Sequence, residues 1–141
     1  MKKQILAAVV ALAVSIVAAG VCFAHPRVME VNIPFAFEAG NKMLPAGQYR
    51  FESVPTGDGT LYRIRQMDGD AQSLVSSITL TGDRQNLPKL VFHKYGTTYF
   101  LAQIWNGDGG GRQLFESKQE KEVARAEKRT EVALSIRRTR M

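Results

Sequence analysis

The stretch KLVFHKYGTTYFLAQIW, Lys89 to Trp105, decides the fold class. Leu90, Val91 and Phe92 are consecutive, as are Tyr99, Phe100, Leu101 and Ala102, and Gly96-Thr97 divides the two runs. Each run is short, rich in β-branched and aromatic residues, and bounded by turn residues, which predicts two hairpin-paired strands. Apolar side chains on both parities of a strand require cover on both faces, so this pair belongs near the middle of the fold.

Outward from it, alternation of period two dominates. In Met29 to Glu38, Val31, Ile33, Phe35 and Phe37 share a face, and Pro34, which cannot donate to a ladder, predicts an edge strand or a bulge. Gly40-Asn41 and Pro45-Ala46-Gly47 read as turns. Gln48 to Val54 puts Tyr49 and Phe51 inward, and Leu61 to Met67 sets Tyr62 and Ile64 against Arg63 and Arg65. Asp68-Gly69 is a hairpin signal. After it, Ala71 to Leu80 places Leu74, Ile78 and Leu80 on an apolar face, with Ser73, Ser77 and Thr79 opposite, toward solvent. Thr81 to Pro88 and Asn106 to Arg112 read as loops. Ser117 with Glu120 forms a capping box that opens a short surface helix, whose only apolar contacts are Val123, Ala124 and Ala126. Thr130 to Arg138 alternates again through Val132, Leu134 and Ile136. The expectation is an all-β fold, an antiparallel sandwich or small barrel of about seven strands, with one short C-terminal surface helix before the last strand.

The chain has 141 residues and a formal charge of +6. Met1-Lys2-Lys3 followed by the uncharged run Ile5 to Ala24 reads as an export signal, with Cys22-Phe23-Ala24 as an A-x-A-like cleavage site. The expected organisation is a signal over 1–24 and one β-rich domain over 25–141, periplasmic or extracellular. The run is also long enough to span a bilayer if it stays uncleaved, the one route by which a membrane enters the reading. Cys22 is the only cysteine, so cleavage after Ala24 leaves no thiol nucleophile, thiolate zinc site or disulfide. Nine basic and nine acidic residues balance between His25 and Ser117, whereas 118–141 carries eight basic and four acidic. That basic tail is a solvated end, or an arm for an anionic surface. Export and the lack of any aromatic residue after Phe115 argue against nucleic acid.

The segment NIPFAFEAGNKMLPAGQYRF, Asn32 to Phe51, resembles a recurring opening of small exported bacterial proteins, PFxF followed by a turn and LPAGxYxF. Lys89 to Trp105 is similar to the second landmark of that group. The shared residues are turn formers and core aromatics, so the resemblance implies export and a β-rich fold and carries no activity.

Motifs for catalysis are missing. There is no G-x-S-x-G, and Ser73, Ser76 and Ser77 read as the polar face of a strand. Asp58, Asp68, Asp70 and Asp108 sit where turn chemistry wants aspartate, without the further oxygen ligands of a calcium loop. Gly109-Gly110-Gly111-Arg112 lacks the lysine and hydroxyl of a P-loop. Tyr49, Tyr62, Tyr95, Tyr99 and Trp105 could form a ligand platform, or belong to the core. The leading expectation is a non-catalytic ligand- or partner-binding or envelope-associated domain, needing no cofactor. The alternative is a copper-binding protein: an N-terminal His25 supplies amine and imidazole nitrogens, and His93 a third.

Overall fold

The computed structural model describes residues 28–56, 59–80, 87–107 and 110–136. Among them are ten strands and one helix: β1 (Val28–Ile33), β2 (Phe37–Ala39), β3 (Lys42–Leu44), β4 (Gly47–Thr56), β5 (Gly59–Gln66), β6 (Gln72–Leu80), β7 (Lys89–Tyr95), β8 (Thr98–Trp105), β9 (Gly111–Leu114), α1 (Lys118–Ala126) and β10 (Arg129–Ser135). Antiparallel pairing runs β1-β4-β5-β6-β9-β8-β7-β10, and the β2–β3 hairpin lies beside β8. The sheet does not close on itself, so the architecture is an open all-β sandwich rather than a barrel. The predicted signal, its cleavage site and His25 lie outside the described residues, as do 137–141.

Three features raise the strand count above the expected seven. The run from Met29 to Glu38 breaks at Pro34-Phe35-Ala36, making β1 an edge strand and β2 a separate short one. Lys42–Leu44 pairs back on β2 through a two-residue turn, Gly40 and Asn41, both at positive φ (60° and 62°), as a type I′ turn requires. Gly111–Leu114, expected partly as loop, forms β9, a bridge between β6 and β8. One pairing also departs from a purely antiparallel plan: β2 meets β8 in parallel at Glu38↔Phe100. The β5–β6 connection is longer than Asp68-Gly69 suggests. Gln66 N–H donates to Ala71 O at 2.8 Å and closes a loop over Met67–Asp70.

The core follows the alternation on β4 and β5: Tyr49, Phe51, Tyr62 and Ile64 are buried together. Beside them a series of rings crosses the fold, Tyr49 against Phe37, Phe37 against Phe92, Phe92 against Phe35, and Phe35 stacked on Tyr99. Of the five platform candidates, Tyr49, Tyr62, Tyr95 and Trp105 are buried, and Tyr99 is half-buried. β7 and β8 are covered on both faces, as their composition demands: Leu90, Phe92, Leu101 and Ile104 join the main core, and Val91, Tyr95, Phe100 and Ala102 are buried outside it.

β6 inverts the expected faces. Ser73, Val75 and Ser77 are buried, whereas Leu74 and Ile78 are 56% and 48% exposed. The inward hydroxyls are held by specific partners, which makes burying them tolerable. Ser73 Oγ donates to Ala39 O at 2.7 Å, and Ser77 Oγ accepts from Arg112 Nε at 3.1 Å. Ser76 is exposed as expected.

Candidate functional site

Helix α1 begins as its capping box predicts. Ser117 Oγ accepts from Glu120 N–H at 3.1 Å. Its side-chain contacts are not those expected, because Ala124 and Ala126 are exposed and the one buried residue of the helix is Glu120. Glu120 Oε1 bonds His93 Nδ1 at 2.7 Å and accepts from the Tyr95 hydroxyl at 3.3 Å. Register explains why these groups meet. Glu38 on β2 lies opposite Phe100 on β8, which lies opposite His93 on β7, which lies opposite Glu131 on β10. One rung across four strands thus carries two glutamates and a histidine, and α1 adds a third glutamate.

Glu38, on the face of its strand opposite Phe37, is 2% exposed. Neither of its carboxylate oxygens has a hydrogen-bond partner. Burial pushes its carboxyl above the ordinary range, and the nearby Glu120 charge adds to this; the Ser117 hydroxyl, close but outside hydrogen-bond geometry, pulls the other way. Burial likewise raises the Tyr95 phenol, reinforced by Glu120, which keeps Tyr95 a donor. Because the folded chain binds the Glu38 proton more tightly than the unfolded chain, Glu38 favours folding fully below the ordinary carboxyl pKa. That contribution is lost as pH rises through the elevated folded value. Glu38→Gln should therefore gain stability relative to the parent as pH rises through that window, read as the difference between their urea midpoints from acid to neutral pH. Parallel pH profiles would mean that Glu38 is not under this strain.

Except at Glu131, the cluster is closed off from solvent. His93 is 7% exposed, its Nε2 lies 3.9 Å from Glu131 Oε1, and neither cavity described below is lined by it. Among the described residues, no three His, Cys, Asp or Glu side chains converge in a way that could hold a metal. His25 lies outside the described residues; a copper brace would have to take His93 from Glu120 at Nδ1 or use Nε2 beside Glu131. Asp58 and Asp108 also fall outside, and Asp68 and Asp70 are exposed on the β5–β6 loop. Of the Gly109–Arg112 run, Gly111 and Arg112 open β9, and Arg112 donates to Ser77 and Thr79.

Among the described residues, two adjoining cavities lie where the β2–β3 turn stands on β6. Gly40 is required there: a Cβ would fall 2.9 Å from Ser73 Oγ and 3.0 Å from Leu74 O, at a φ of +60° that L side chains rarely adopt. A cavity of about 450 Å³ on one side of this contact is lined by Lys42, Arg63, Gln72 and Ser73 besides Gly40 and Leu74. A second, of about 270 Å³, shares Gly40 and Leu74 and extends to Leu114, Phe115 and Glu116. Leu74 and Phe115 (65% exposed) form the apolar ledge of this two-part groove. Sequence reasoning missed the site because it put Leu74 in the core. The signal it could have used was Phe115, an aromatic stranded between β9 and the helix cap.

With this geometry in hand, comparison with known proteins adds no assignment. No protein-family model, curated protein or solved structure matches the chain.

Proposed function

We propose that the chain is an exported, non-catalytic β-domain that binds a ligand or an envelope partner in the groove between the β2–β3 turn and β6. The observation that carries this reading is the inverted β6. Two serines are buried with dedicated partners while Leu74 stands exposed beside Gly40, Lys42 and Arg63. Large apolar side chains exposed around concave space are what a binding surface requires and what folding alone does not. Export is supported by the Met1–Ala24 sequence.

Two measurements test it. Intact mass and N-terminal sequencing of the protein made with its own leader should show a chain beginning at His25; a chain retaining Met1 would tether the domain instead. A fragment set screened by ¹⁵N shift mapping should yield saturable shifts clustered on Gly40, Leu74 and Phe115. Fragments that cluster elsewhere, or none that bind, would dismiss the groove as the site.

A further inference from the structure

We infer that the groove accepts a single-chain amphiphile with an anionic head. The inference rests on the reading of the groove as the binding site, and it names the ligand class.

The two halves of the groove differ in charge. The first is lined by Lys42 and Arg63 together with an amide and a hydroxyl, and no carboxylate lines it. Arg63 approaches Glu52 at only 3.7 Å through one nitrogen, which leaves the rest of its guanidinium fork for another acceptor. The second half runs past Leu74 to Leu114 and Phe115 and has Glu116 in its wall. Glu116 repels an anion there, so the head is confined to the Lys42–Arg63 end and the chain must lie across Leu74 toward Phe115. Ile78, two residues beyond Ser76, is exposed on the same face of β6.

The shape also disfavours the other occupant usual at a β-sheet cleft. β6 has a strand on its β9 side only over Ser77–Leu80, so the edge from Gln72 to Ser76 could in principle accept an extended peptide. Gly40 closes that route. Its packing against the Leu74 carbonyl and the Val75 side chain puts the hairpin turn where the added strand would run. A flexible chain crossing over Leu74 needs no backbone pairing and passes outside the turn.

The test is calorimetry on the full mature chain with three probes: dodecyl phosphate below its micellar concentration, inorganic phosphate, and dodecyl maltoside. Dodecyl phosphate should bind saturably, and at least about tenfold more tightly than either of the others. Lys42→Glu and Arg63→Glu should each weaken it about tenfold, and Leu74→Ser with Phe115→Ser should reduce it to the level of inorganic phosphate. All four side chains line the surface groove, and a melting profile identical to the parent's confirms that each variant folds. Equal binding of maltoside and phosphate amphiphiles would overturn the anionic head while leaving the groove a binding site. Inorganic phosphate binding as tightly as dodecyl phosphate would overturn the chain contact. Dodecyl phosphate binding that none of these substitutions changes would overturn both the ligand class and the groove.

Discussion

Phe92→Ala should cost about 5 kcal/mol of unfolding free energy, the upper part of the range for deleting a buried phenyl ring. Phe92 is fully buried. It stands edge-on to Phe35 (4.9 Å, 84°) and Phe37 (5.6 Å, 76°), so its loss cuts the series of rings at its middle. Each such pair is worth about 0.5–1.5 kcal/mol beyond the area it buries. Collapse around the hole is hindered because Phe37 is held by Tyr49 and Phe35 by Tyr99. Those two residues belong to β2 and to the link between β1 and β2, so the damage reaches the hairpin that forms the groove wall. Urea unfolding measures the loss. A cost below about 1.5 kcal/mol, the range of a tolerated core swap, would mean that the rings repack freely and are not the framework described here.

Glu120→Ala should cost about 3 kcal/mol, by a different mechanism. Each buried polar group left without a partner typically costs about 1–3 kcal/mol, and the substitution orphans two. Here those are His93 Nδ1 and the Tyr95 hydroxyl. The substitution also relieves repulsion of Glu38, which places the effect at the low end. The consequence is local as well as global. Glu120 is the only buried side chain of α1, so the helix loses its anchor to the sheet. Hydrogen exchange should show lost protection at Lys121 and Glu127, whose amides donate to Ser117 O and Val123 O, while β4 and β5 stay protected below the global transition. Glu120→Gln keeps an acceptor for both partners and should recover most of the loss. An alanine variant with α1 still protected would show that the helix is held by something other than this carboxylate.

Much of the framework is legible in the sequence. Tyr49, Phe51, Tyr62 and Ile64 announced their faces by simple alternation, and the unbroken apolar runs of β7 and β8 announced strands covered on both sides. Ser117 announced the helix start. What alternation could not reveal was set by long-range partners. Pattern reading assigns a serine face to solvent because it cannot see Ala39 O or Arg112 waiting on the inside. It could not place Glu38 or Glu120 indoors for the same reason: their burial depends on the rung that a parallel contact between β2 and β8 creates. β9 was hidden by its glycine. Gly111 looks like loop, yet a Cβ there would lie 2.6 Å from the Trp105 ring, so glycine is what lets that strand pack. The candidate site was therefore the least legible part of the chain, built by the same inversion that misled the reading.

The central claim, that the groove beside the β2–β3 turn is where this domain binds, is tested most directly by mapping amide shifts of the chain over residues 25–141 during titration with dodecyl phosphate. The account predicts saturable shifts at Gly40, Arg63, Leu74 and Phe115, with Ile64 and Leu90 in the core unmoved. Saturable shifts that bypass those four residues would contradict it, whereas spectra unchanged throughout the titration would overturn the anionic amphiphile as the ligand.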